Sequence, residues 1–300
     1  MNLTGIFAPL TTPFTDGEVA LDRLAANIAR YQRHGLAGYL LLGSTGEAAL
    51  LTDEERLAVL RAARAAIPRE RTLIAGVGME STADTVRMAV AAATAGADAV
   101  LVVTPSYFRT QMSETALLAH YTAVADASPL PVLLYNVPQF TGVVIPAATV
   151  ERLAGHPNIA GLKDSAGDIG WLVDVLARVP ATFQVLGGAA GVVQSALAAG
   201  AVGGIIAIAD VLPEACVALF REHTAGRAAA ALALQRQLLP AIRLIARLGV
   251  AGVKAAMNER GLAGGAPRPP LLPISESHRA AVCACLAALV EQGELSSLAL

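Results

Sequence analysis

Short, uninterrupted apolar runs recur along this chain at 5–10, 38–43, 72–78, 99–104, 132–136, 159–163, 183–187 and 203–208, with alanine-rich stretches of helical character between them. A strand whose hydrophobicity is continuous rather than alternating is buried on both faces, and strands separated by helices at intervals of about 25–35 residues run parallel. Eight such units predict a (β/α)8 TIM barrel of the α/β class. An open doubly wound sheet is the rival arrangement. The turn after the first run, however, lacks Gly-x-Gly-x-x-Gly, and no acidic residue stands where a dinucleotide's ribose needs one. After Val211 the pattern becomes wholly helical, over 213–260 and again from 275 to about 291, with a Gly/Pro-rich connector at 261–273. The expected organisation is a barrel over 1–224 and a C-terminal helical subdomain over 225–300. Helices this rich in Ala and Leu need the barrel or a neighbouring subunit to pack against.

Three hundred residues, 55% of them hydrophobic, suffice for a large core. The mean hydropathy of +0.55 comes from short Val/Leu/Ile runs and alanine, not from a charge-free stretch long enough to span a bilayer. A net charge of −2 without a dense basic stripe gives little electrostatic basis for nucleic acid or an anionic membrane. A small-molecule partner fits better. Cys216, Cys283 and Cys285 are odd in number and clustered late, which argues against a disulfide framework and suits a reducing compartment. The chain enters an apolar segment at Gly5, leaving no room for a signal or presequence, so a cytoplasmic location is expected. The five histidines form no ligand pair, so neither metal nor cofactor is expected.

Against this background one residue type stands out. Of 22 basic residues only Lys163 and Lys254 are lysines, so the chain rarely uses lysine as a surface charge. Lys163 closes the sixth run, in Gly161-Leu-Lys-Asp164, and barrel active sites form at the carboxyl ends of the strands. A lysine amine drawn into an apolar pocket loses solvation of its charged form, and the free base is a nucleophile toward ketones. The competing reading is a lysine that lays its stem over apolar surface. Lys254 falls in a helix of the C-terminal subdomain, where a structural role is expected.

Other strand ends carry chemistry of their own. The second run ends in Gly43-Ser-Thr-Gly-Glu47, a turn whose amides and hydroxyls suit a carboxylate, although Ser/Thr capping of an ordinary strand-to-helix turn accounts for it equally well. The fifth ends in Tyr135-Asn-Val-Pro138 and the fourth in Thr104-Pro-Ser-Tyr-Phe-Arg109. Taken singly, each tyrosine reads as packing or an interface residue. A lysine, a tyrosine and an anion-binding turn on strand ends of one barrel are a rarer conjunction.

In these segments, together with Pro13-Phe14 and Thr141-Gly142, the chain resembles the pyruvate-dependent class I aldolases that include dihydrodipicolinate synthase, N-acetylneuraminate lyase and 4-hydroxy-2-oxoglutarate aldolase. The likeness runs over essentially the whole length. It implies that Lys163 forms an imine with a 2-oxo acid such as pyruvate and that Tyr135 shuttles protons through Thr45. Tyr107 would complete the relay from an adjacent subunit of a homotetramer. It further implies that Ser44 and Thr45 hold the substrate carboxylate, that Ile205 flanks the pyruvate, and that Phe140 and Ser165 face the rest of the substrate.

Within the family, dihydrodipicolinate synthase places an arginine where this chain has Phe140, which counts against that activity. The sialic-acid lyases place carboxylates where this chain has Gly187-Gly-Ala-Ala-Gly191, which counts against a polyol. The likeness to 4-hydroxy-2-oxoglutarate aldolase is stronger, through 75–82, 103–109, 163–168 and 183–187, although that enzyme's turn reads Ser-Asn in place of Ser44-Thr45. The expected activity is cleavage of a short 4-hydroxy-2-oxo acid, with 4-hydroxy-2-oxoglutarate yielding pyruvate and glyoxylate. The alternatives are condensation of pyruvate with an aldehyde, a 2-keto-3-deoxy sugar-acid aldolase or dehydratase, and a catalytically silent pyruvate-binding barrel.

Overall fold

The computed structural model describes residues 1–291; residues 292–300, the end of the expected C-terminal subdomain, lie outside the described residues. Eight parallel strands close a barrel: β1 (Gly5–Ala8), β2 (Gly38–Leu41), β3 (Thr72–Gly76), β4 (Ala99–Val103), β5 (Val132–Asn136), β6 (Ile159–Asp164), β7 (Gln184–Gly187) and β8 (Gly203–Ile205). Each pairs with the next in chain order, and β8 pairs back onto β1. All eight predicted runs become strands. Some are shorter than the apolar run that announced them, because the chain leaves the ladder after Ala8 and turns tightly over Ala207–Asp210.

The continuous hydrophobicity has a packing cause. Leu133 and Tyr135 of β5 join Phe7, Leu40, Ile74, Leu101, Leu186 and Ile205 in the barrel interior, whereas Val132 and Leu134 belong to the larger core beneath the helices. Adjacent residues on one strand therefore fill two different cores, and few positions are left for polar side chains.

Four of the helices around the barrel begin at side-chain caps. After α1 (Leu21–Tyr31), α2 (Asp53–Ala66) opens on a capping box in which the Thr52 hydroxyl accepts from the Glu55 amide and the Glu55 carboxylate accepts from the Thr52 amide. Ser81 caps α3 (Thr82–Thr94) and Ser113 caps α4 (Glu114–Ala127). After α5 (Ala147–Ala154), Asp168 caps α6 (Ile169–Arg178), and α7 (Val193–Ala199) and α8 (Pro213–Thr224) complete the outer ring. Each side-chain cap stabilises its helix by about 1 kcal/mol and marks where the loop before it ends.

Two features depart from the sequence reading. The single helical run expected over 213–260 is divided into α8 and α9 (Ala228–Glu259) around Gly226 (φ 75°), and α9 is itself broken at Gly249 (φ 64°, ψ −152°). The final helix, α10 (Glu276–Glu291), follows the connector. A small hairpin pairing Phe14–Thr15 with Glu18–Val19 was not anticipated; its Asp16-Gly17 turn is left-handed at both residues, the conformation that matches strand twist. Among the described residues no helix is long and apolar enough to cross a membrane.

Candidate active site

Parallel register sets the site. Tyr135 on β5 pairs with Lys163 on β6, and the next pair is Asn136 with Asp164. Both Lys163 and Tyr135 share the interior parity of their strands at the carboxyl end of the barrel. The Lys163 Nζ lies 4.3 Å from the centroid of the Tyr135 ring, and the two residues are only 4% and 5% exposed. Burial pushes the Tyr135 phenol up, but the charge of Lys163 and the polar side chains of Ser165, Ser44 and Lys163 around the hydroxyl outweigh it and leave Tyr135 below its ordinary value of 10. A phenol displaced in that direction gives up and recovers a proton more readily near neutral pH.

Ser44 is among the side chains that lower the Tyr135 pKa, and Thr45, the residue expected in the relay, follows it on the same turn. Leu42 takes a left-handed φ of 59°, turning the chain as it leaves β2, and the close passage is possible because Gly76 has no Cβ; one there would lie 2.1 Å from the Leu42 carbonyl oxygen. Thr45 is half-buried beside Ser44 on the same turn. Ile205 is fully buried in the interior cluster that contains Tyr135. Gly188 keeps space open beside the amine, since a Cβ at that position would stand 3.1 Å from Lys163 Cε and 2.1 Å from Ser165 Oγ.

The loops around this centre are tied to one another. The Asn136 side-chain amide donates to Asp164 at 2.8 Å and its oxygen accepts from the Ile145 amide at 3.1 Å. Asp164 also accepts from the amides of Ala166 and Gly167, while burial pushes its carboxyl above the usual range. Gln139 Nε2 reaches the Ser165 carbonyl at 3.0 Å, joining the β5 and β6 loops.

Within one chain the structure brings together Lys163, Tyr135, Ser44, Ser165 and Ile205, and it leaves two expected residues outside that group. Tyr107 is 80% exposed, edge-on against Phe108 with ring centroids 5.0 Å apart. The loop that carries it is pinned by Glu80, whose carboxylate accepts from the amides of Ser106 and Tyr107 and from the Ser106 hydroxyl. Phe140 is 69% exposed on the one-turn helix Pro138–Thr141. Arg109 approaches the end of that turn, with its Cδ 3.1 Å from where a Gly142 Cβ would stand.

Sequence reasoning missed Asp210, which follows β8 and is fully buried with neither carboxylate oxygen hydrogen-bonded. Burial holds its carboxyl well above the usual range, with the charge of Lys163 acting in the opposite direction. An acid raised in the folded state is fully stabilising only below its unfolded pKa, and that contribution is lost as pH rises through the folded value. Asp210→Asn removes the titration. Its melting temperature should therefore exceed that of the native protein at pH 7.5, by up to about 1.4 kcal/mol in stability for each pH unit of displacement, with the difference closing near pH 4. A variant less stable at both pH values would contradict this assignment.

Among known families, the description "Dihydrodipicolinate synthetase family" matches residues 2–289. A 4-hydroxy-tetrahydrodipicolinate synthase of Exiguobacterium sp. strain AT1b is 39% identical over 279 residues, covering 92% of this chain and 94% of that protein. A probable mitochondrial 4-hydroxy-2-oxoglutarate aldolase of Emericella nidulans is 34% identical over 284 residues, covering 93% and 92%. Among solved structures, the 4-hydroxy-tetrahydrodipicolinate synthase of Methylacidiphilum fumariolicum SolV superposes with a TM-score of 0.93 at 28% identity, over 99% of this chain and 98% of that one. The dihydrodipicolinate synthase of Acinetobacter baumannii complexed with pyruvate gives 0.92 at 30% identity, over 98% and 100%.

Proposed function

Because the chain belongs to the dihydrodipicolinate synthetase family of pyruvate-dependent aldolases, we propose that it is an imine-forming lyase that cleaves 4-hydroxy-2-oxoglutarate to pyruvate and glyoxylate. The observation that supports this most directly is the buried Lys163 amine held over the ring of Tyr135 at the carboxyl end of the barrel strands. Lys163 Nζ adds to the C2 ketone, and loss of water leaves an iminium. Tyr135, as phenolate, takes the proton of the C4 hydroxyl; the C3–C4 bond breaks, its electron pair moving into the iminium, and glyoxylate departs. The resulting enamine is protonated at C3 and hydrolysed, returning Lys163 and releasing pyruvate. Ser44 relays the proton of Tyr135, and the amides and hydroxyls of Ser44 and Thr45 hold the C1 carboxylate, which fixes the ketone beside the amine.

The dicarboxylate is favoured by Arg109. Phe140 offers no charge to a second carboxylate, but Arg109 stands at the end of the same turn. Ile205 forms an apolar wall for the three-carbon unit, and Ser165 faces the group beyond C3. In this reading Tyr107 serves a neighbouring subunit of a dimer of dimers, and the enzyme works in the cytoplasm without a cofactor. The names of several relatives favour a second reading, condensation of pyruvate with a carboxylate-bearing aldehyde. A coupled assay separates the two: pyruvate and glyoxylate released in equal amounts from 4-hydroxy-2-oxoglutarate support cleavage. Consumption of pyruvate by the aldehyde, with no release from the hydroxy-oxo acid, supports condensation and rejects the proposal.

A further inference from the structure

The chain's second lysine is also buried, and it is paired with the turn that carries Ser44 and Thr45. Glu47, the last residue of that turn, is 3% exposed and adopts a left-handed φ of 55°, a conformation that a non-glycine residue keeps only where its surroundings enforce it. The enforcing contacts come from the far end of the chain. Lys254 Nζ on α9 lies 2.5 Å from Glu47 Oε1, and the Arg268 amide donates to Glu47 Oε2 at 2.7 Å.

Both partners are anchored in turn. Lys254 also donates to the Ala266 carbonyl at 3.0 Å and sits 4.3 Å from the Phe14 ring centroid. Arg268 forms a two-pronged pair with Glu55 at 2.7 Å for each contact, donates to the carbonyls of Leu50 and Gly17, and lies against the same Phe14 ring. From the barrel side, the Thr12 hydroxyl donates to the Gly46 carbonyl at 2.7 Å. Lys254 is 1% exposed, so its charge has almost no solvent to compensate it if Glu47 is lost. A buried pair of this kind fixes geometry, because either charge alone is costly in any other arrangement.

We infer that Glu47 and Lys254 are positioning residues, through which the C-terminal helices hold the Gly43–Glu47 turn in the shape that binds the substrate carboxylate. The inference rests on the proposed role of that turn. A misplacement of about 1 Å in a positioning group is enough to cost about a hundredfold, and in the proposed function this turn both receives the carboxylate and carries Ser44, the relay hydroxyl.

The test is borohydride trapping of pyruvate on the full-length protein, titrated with pyruvate and read as intact mass. Four proteins are compared: native, Lys254→Met, Lys254→Arg, and the double variant Glu47→Gln/Lys254→Met. The double variant removes both charges together, so no buried charge is left unpaired and the fold is kept. Its half-saturating pyruvate concentration should rise about tenfold or more while the plateau of trapped protein stays within about threefold of native. Lys254→Arg should recover most of the affinity, and Lys254→Met should be weaker than the double variant. Unchanged half-saturation in the folded double variant, whatever its melting temperature, overturns the inference and leaves the pair purely structural. Failure of the native protein to be trapped overturns instead the imine reading on which the inference stands, so the two failures are told apart.

Discussion

Lys163→Ala is expected to abolish pyruvate release from 4-hydroxy-2-oxoglutarate, by at least about 10⁴-fold in kcat, and to eliminate the borohydride-trapped adduct. The size follows from what the amine does. Without it no iminium forms, and the C3–C4 electron pair has no acceptor stronger than a neutral carbonyl. The remaining turn and Ile205 still bind the keto acid, so KM should change much less than kcat. Loss of the chemistry should not be accompanied by loss of the fold, because removing a buried amine from an apolar mouth also removes its desolvation cost. Lys163→Arg separates charge from nucleophilicity: it keeps a cation beside Tyr135 but cannot form an imine, and it should be as inactive as the alanine variant. Full activity of Lys163→Ala would mean that cleavage does not pass through an imine on Lys163 and would reject the mechanism.

Much of this site was legible before the structure because the relevant positions terminate apolar runs. Lys163 and Tyr135 each close a continuously hydrophobic segment, and a barrel collects such ends at one mouth. Their direct pairing was not legible, because register between parallel strands is set by packing across two cores and a shift of one residue turns a side chain to the opposite face. The path of the turn that carries Ser44 and Thr45 was hidden too, since it follows a left-handed Leu42, a residue type for which sequence gives no expectation of positive φ.

The clamp on Glu47 was hidden by distance along the chain. The Arg268 amide and the carboxylate it meets are 221 positions apart, and nothing local to either marks the other. A structural role was expected for Lys254, but its partner was not, because Glu47 lies far away along the chain; the break at Gly249 in α9 was not expected either, since a single glycine in an Ala/Leu-rich helix is usually tolerated. The division at Gly226 did have a signal, since a glycine after a helical run is the commonest helix stop. The Asp16-Gly17 turn was likewise marked by its dipeptide.

Tyr135→Phe should lower kcat by about 10²–10⁴-fold, the usual contribution of a positioned acid–base group, while leaving the final amount of trapped imine close to native. The phenyl ring preserves the ring face that Lys163 Nζ rests on, so the amine stays in place and only proton transfer is lost. Imine formation should still reach completion, more slowly, because loss of water from the carbinolamine has lost its acid. Ser44→Ala tests how the phenol is tuned. The Ser44 side chain is one of the groups that lower the Tyr135 pKa against the upward push of burial, so its removal moves that pKa upward. If the phenolate takes the C4 hydroxyl proton, the rising limb of kcat against pH should move to higher pH by up to about one unit, the equivalent of one modest hydrogen bond. Activity of Ser44→Ala at pH 7 should fall accordingly and recover as the solution is made more alkaline. A limb that stays in place in Ser44→Ala, together with near-native turnover in Tyr135→Phe, would mean that the proton leaves by another route and that the close approach of Tyr135 to Lys163 is packing alone.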